Sequence, residues 1–122
     1  MTDQLDPQVD NPVSAEQRIQ FCIDNIEKAP WVIKERLKAY QEAKRILDQK
    51  MARTAAGTEG SDAAKRRAAI LACADEQQER DDAYEALQYA KERFKALREE
   101  LSGLQTINRS VSDAYNTAGR RW

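Results

Sequence analysis

The densest run of side chains able to do chemistry is acidic: Asp75, Glu76, Glu79, Asp81, Asp82 and Glu85. On a helix, Asp75, Glu79 and Asp82 fall on one face, and a face of carboxylates suits a divalent cation. The same pattern arises on any solvated helix that meets basic groups on a neighbour, which is the simpler reading. The chain has no histidine. That removes the usual general base, the usual triad partner and the commonest metal ligand. Cys22 and Cys73 have no Cys-x-x-Cys spacing, so they form neither a zinc site nor a disulfide framework. Cys73 stands between Ala72 and Ala74 with no neighbour to activate a thiolate. Gly57-x-x-Gly60 lacks the lysine and the flanking strand of a phosphate loop. These residues predict no catalytic, cofactor-binding or metal-binding site, and the chain reads as a non-enzyme without a small-molecule substrate.

The basic residues hold more information. The chain balances 20 Lys and Arg against 21 Asp and Glu, so it is no general polyanion binder. Charge is nonetheless uneven. Residues 1–29 carry Asp3, Asp6, Asp10, Glu16, Asp24 and Glu27 against Arg18 and Lys28. Residues 30–56 carry seven basic groups against Glu35, Glu42 and Asp48. If the chain folds back on itself near residue 58, Arg45, Lys50 and Arg53 come close to Lys65, Arg66 and Arg67. Such a basic tip can meet phosphates, and Arg120, Arg121 and Trp122 add a second basic element with a stacking ring. Alternatively these cations only solubilise a helical surface.

The elements that position these groups are helices. Ala, Glu, Lys, Arg, Leu and Gln dominate, while glycine and proline are scarce, with 4 and 3 copies. Residues 1–13, with Pro7 and Pro12, read as a disordered acidic tail. Ser14, with Gln17 three residues on, predicts a helix start. Pro30 lacks an N–H and crowds the carbonyl four residues back, so a kink or break is expected there, with a second helix running to about residue 55. Trp31 sits at that elbow. Residues 55–62 predict a turn, with Gly57 as a C-cap and Ser61 or Asp62 as an N-cap. A third helical pattern runs from about residue 63 to 118, with 119–122 as a tail. It opens with Lys65-Arg66-Arg67, which opposes the helix dipole. Gly103 and residues 106–112 weaken helix propensity, and a break or kink is expected near them.

On the third pattern Ala83, Leu87, Ala90, Phe94, Leu97, Leu101, Leu104, Val111 and Tyr115 make one stripe. Earlier on it, Ile70, Cys73, Gln77, Arg80 and Tyr84 follow the repeat with two polar entries. A stripe of this spacing must lie against another helix. The fold predicted is all-α: a long antiparallel helical hairpin or coiled coil, a single domain over residues 14–118. Counting from the middle of the turn places Leu37 opposite Arg80, Trp31 opposite Leu87, Ile23 opposite Phe94 and Ile19 opposite Leu97. It separates Cys22 from Cys73 by roughly 30 Å at 1.5 Å per helical residue. Leu104, Ile107, Val111 and Tyr115 are then left with little to pack against. They either form an interface or fold back on their own bundle. Leu101, Leu104, Ile107, Val111, Tyr115 and Trp122 are therefore the candidate protein-interface residues, with Trp31, Phe94 and Leu97 as further anchors.

No apolar run approaches the length of a membrane span, and MTDQLDPQVDNP is not a signal peptide. With the free cysteines, this predicts a cytoplasmic protein. The residues around Tyr84-Glu85-Ala86-Leu87, Lys95-Ala96-Leu97-Arg98 and the segment L-S-G-L-Q-T-I-N-R-S-V, with the break at 54–62, resemble small helical-hairpin accessory proteins encoded by bacteriophages. That resemblance spans roughly residues 31–115 and implies an accessory, non-catalytic role in phage DNA metabolism. It carries no site residue over. Two functions are expected from the whole. The first is a helical interaction protein (adaptor, scaffold or inhibitor) that binds a protein partner or a second copy through its apolar seam. The second is a nucleic-acid-binding protein using Arg45, Lys50, Arg53, Lys65, Arg66, Arg67, Arg120 and Arg121.

Overall fold

Long runs of strong helix formers with few breakers become helix almost throughout. The computed structural model describes residues 12–120 as α1 (Pro12–Ala56), α2 (Asp62–Ala72) and α3 (Ala74–Arg120). Among the described residues there is no strand, and the fold is all-α. Of the acidic tail expected over residues 1–13, positions 12 and 13 are already helical, and residues 1–11, with Arg121 and Trp122, lie outside the described residues.

Three local expectations change. First, Pro30 does not end one helix and begin another; it lies inside α1. Its ring deletes one backbone bond, but helix already formed on both sides propagates across the gap at lower cost than a new nucleus. Second, no break occurs at Gly103 or within residues 106–112, and α3 is continuous there. The Thr106 hydroxyl donates to the Ser102 carbonyl at 2.9 Å, so it follows the helix instead of competing with it. Third, an interruption unmarked in the sequence occurs at Cys73, whose φ of −108° and ψ of 22° leave the helical region. The backbone bonds persist there. The Cys73 N–H donates to the Ala69 carbonyl at 3.1 Å, and the Gln77 N–H to the Cys73 carbonyl at 2.9 Å.

The link between α1 and α2 follows its residues. The Gly57 N–H donates to the Arg53 carbonyl and the Thr58 N–H to the Ala55 carbonyl, closing the helix. The left-handed position is Gly60, with φ +115°, and not Gly57. A side chain at Gly60 would be strained. Ser61 then caps α2, its hydroxyl accepting the Ala64 N–H at 3.2 Å.

The chain divides into two compact units. One joins residues 12–29 with 92–120; the other spans residues 30–91. In the first, Cys22, Ala29, Phe94, Leu97 and Leu104 are buried. In the second, Leu47, Ala69, Cys73, Leu87 and Ala90 are buried. Buried or half-buried positions recur at 69, 73, 76, 80, 83, 87, 90, 94, 97, 101 and 104, in alternating steps of four and three. On α1 they recur at 19, 22, 26, 29, 33, 40, 43, 47, 50 and 54, where exposed Arg36 replaces one beat. Because the bonds around Cys73 are kept, the interruption does not shift this phase. Ile70 and Tyr84, expected on the seam, are instead on its flank and substantially exposed.

Within residues 30–91, Lys50 pairs with Glu76 at 3.1 Å, and the Tyr40 and Tyr84 rings lie 5.4 Å apart at 57°. The partner of position 40 is seven positions further along than the count from the turn predicts, and that of position 50 is nine. Leu37 is therefore not level with Arg80. The count assumed that both helices leave the turn at the same height, which a link of unequal arms does not require. Trp31 is exposed and pins no elbow. In the other unit Arg18 pairs with Glu100, within one position of the expected register.

Candidate interaction surface

Midway along α3 a clamp ties the helix to α1. Arg18 grips Glu100 with two hydrogen bonds, one from Nε and one from an outer nitrogen at 2.8 Å. A forked guanidinium on a carboxylate fixes direction as well as distance. The Arg18 guanidinium carbon also lies 4.5 Å from the centroid of the Phe21 ring. Arg18 holds the Glu100 carboxyl below its usual range, chiefly through these hydrogen bonds, against an opposing effect of burial. Next to them Cys22 is fully buried and free. Burial pushes its thiol pKa up, the Glu100 charge adds to this, and Arg18 opposes it. A thiol so placed is a packing group and a poor nucleophile. Cys73 is likewise buried and free.

The clamp gives a pH prediction. A carboxyl whose folded pKa is depressed contributes stability above its unfolded pKa and loses it as pH falls through the folded value. Glu100→Gln should therefore cost roughly 0.5–1 kcal/mol at pH 7, a small figure because both side chains remain partly exposed to water. The difference between the two proteins should close as pH drops below the ordinary carboxyl range. Urea titrations at pH 7 and pH 3 measure this, and a gap of unchanged size at pH 3 would contradict the assignment.

Beyond Glu100 the candidate interface residues separate. Leu101 is half-buried and Leu104 only 8 % exposed, so Leu104 is core and not surplus surface. The described part of α1 begins at Pro12, six residues before Arg18, and Leu104 still lies within reach of an antiparallel arm of that length. Ile107, Val111 and Tyr115 lie past it and are 59 %, 62 % and 80 % exposed. Val111 continues the alternating steps of the buried seam, seven residues after Leu104, and Tyr115 follows it by four. The apolar spacing thus continues after burial has stopped. Trp122 lies outside the described residues.

The basic residues divide as well. Lys50 is half-buried and held by both Glu76 oxygens at 3.1 Å, which lowers the Glu76 pKa. Arg45 is bound to Glu42 on its own helix, with a longer contact of 3.4 Å to Gln49. Arg53, Arg66 and Arg67 are exposed and Lys65 is half-buried, and among the described residues none of the four stands in an ion pair. Arg120 ends α3, and Arg121 lies outside the described residues.

On the acidic run, Asp82 accepts a 2.8 Å hydrogen bond from Gln78, and Asp81 is paired with Arg80. Among the described residues no group of three or more His, Cys, Asp or Glu side chains is arranged to hold a metal ion. No described helix is long and apolar enough to cross a membrane.

One surface escaped the sequence reading. On α2, Ala63, Arg66, Arg67, Ile70 and Leu71 line an open depression of about 320 Å³, and Leu71 is 73 % exposed. A signal for it existed. Strict alternating steps counted back from Leu87 arrive at Ala69, which puts Ile70 and Leu71 off the seam. Comparison of the chain with protein-family models, curated proteins and solved structures finds no match.

Proposed function

We propose that the chain is a non-catalytic helical interaction protein that binds a protein partner, or a second copy of itself, through the free end of its α3 seam. The carrying observation is that Val111 and Tyr115 keep the spacing of the buried seam, with Ile107 one turn before Val111 beside it, while all three stand more than half exposed. Leaving three large apolar side chains in water in one stripe is unfavourable unless something covers them. In this reading the seven-residue repeat of buried positions is that of a coiled coil. Adaptor, scaffold and inhibitor are all roles such a surface serves. The likeness to phage accessory proteins adds DNA metabolism as the setting of this proposal and no residue to it.

The test is a double substitution, Val111→Glu with Tyr115→Glu, at two exposed positions where folding is unaffected. Light scattering gives the mass of both proteins, and affinity capture from the native cells compares what each retains. The expected result is loss of self-association or of a specific retained protein, with affinity reduced at least tenfold. Equal mass and an identical retained set in the two proteins would remove this surface from consideration.

The nucleic-acid reading has weaker support. Of the six cations expected at the tip, Lys50 and Arg45 are occupied by Glu76 and Glu42. Arg53, Lys65, Arg66 and Arg67 remain for phosphate. A gel shift at low salt that disappears on charge reversal at these four would favour it over the first reading.

A further inference from the structure

Residues 63, 66, 67, 70 and 71 of α2 have the i, i+3, i+4, i+7, i+8 spacing of one helix face. Ala69, off this face, and Cys73 at the helix C-cap are buried, so the helix already has its core contact. A second, outward face with Leu71 at 73 % and Ile70 at 46 % exposure has no core to serve. The charge on that face is also specific. Arg66 and Arg67 are exposed and stand in no ion pair among the described residues. As adjacent like charges they repel each other, and that cost is offset when an anion lies against the face. The depression is lined by Arg66 and Arg67 at one end and Ile70 and Leu71 at the other, with Ala63 leaving room beside the arginines.

We propose that the outer face of α2 is a second docking site, and that its occupant is an acidic amphipathic helix of a partner protein. The leucine or isoleucine side chains of such a helix cover Ile70 and Leu71, and carboxylates one turn away pair with Arg66 and Arg67. A phosphate backbone satisfies the arginines and leaves Leu71 in water. A neutral apolar helix does the reverse. Only an acidic helix with an apolar stripe matches both halves of the face. This site lies in the unit of residues 30–91 and the exposed α3 stripe in the other, so the two are separable by substitution.

The experiment is selection of 14-residue helical peptides from a displayed library against the full chain. It is followed by titration of the enriched peptides into isotopically labelled protein. The result expected is enrichment of Glu and Asp alongside Leu or Ile at i, i+3, i+4 and i+7, with amide shifts centred on residues 63–71. Leu71→Ser, and separately Arg66→Glu with Arg67→Glu, should each weaken binding at least tenfold, while Val111→Glu with Tyr115→Glu should not change it. Helix content by circular dichroism checks that each variant folds. Failure to enrich any peptide overturns the proposal, as do peptides without the acidic–apolar pattern or shifts that map to residues 107–115. It is also overturned if a short DNA duplex competes for the face and its binding depends on the arginines but not on Leu71.

Discussion

Leu47→Ala and Leu97→Ala should each lower stability by about 2–5 kcal/mol, the range for deleting a buried leucine and leaving a cavity. Both side chains are only 2 % exposed, and each belongs to a different compact unit. The loss has two parts. About three methylene equivalents of apolar surface lose their burial, at roughly 0.8 kcal/mol each. The space left behind then removes dispersion contacts from its lining, and stiff helical backbones restrict how far it can close. Leu71→Ala is the control. It removes the same atoms from a side chain already 73 % in water and should change stability by no more than about 0.5 kcal/mol. Urea unfolding followed by circular dichroism measures all three. A cost below about 1 kcal/mol at either buried leucine would contradict the packing described.

The second large effect has the opposite sign. Pro30→Ala should stabilise the protein by up to about 3 kcal/mol, the difference between the two residues in a helix interior. Pro30 lies deep inside α1, so it gains nothing from the first-turn positions where proline is tolerated. Alanine restores an N–H able to bond to the Ile26 carbonyl and removes the ring that crowds it. Pro30 is exposed, so no core contact is lost in exchange. Part of the gain is returned through the unfolded chain, where proline has less entropy to lose. A higher melting temperature with higher helix content is expected. A lower melting temperature would mean that the proline geometry is required by the surrounding fold.

The legible parts of the fold were those carried by large side chains in phase. Leu87, Phe94, Leu97 and Leu104 set a repeat that no solvated helix face would carry, and composition excluded sheet. Details that depended on small residues were harder to read. Ala69 is the buried residue and Ile70 the exposed one, because the phase of a seam outranks side-chain size when the two disagree. Pro30 was expected to separate two helices, whereas extending a formed helix across it costs less than nucleating a new one. The interruption at Cys73 had no sequence mark, since neither alanine neighbour is a breaker. Register was misjudged by about two turns in one unit because a turn's midpoint says nothing about stagger; Lys50–Glu76 and Tyr40–Tyr84 set it instead.

The candidate surface was partly legible for a similar reason. That Ile107, Val111 and Tyr115 extend past the available length of α1 follows from counting residues. That Leu104 does not required knowing where Arg18 meets Glu100. The basic tip was overcounted because spacing shows which cations are near one another and not which carboxylates claim them. The face of α2 was missed because Ile70 was assigned to the seam and Leu71 was not placed at all.

Gly103 lies one residue before the last buried leucine, and no neighbouring atom lies within 4 Å of where its side chain would be. Nothing in the packing asks for glycine, so the weakest link of α3 coincides with the border between its anchored and its unsheltered parts. Amide protons downstream of this joint should exchange with solvent ahead of those upstream, which hydrogen-exchange mass spectrometry measures. The final turns should therefore fray before the anchored length does.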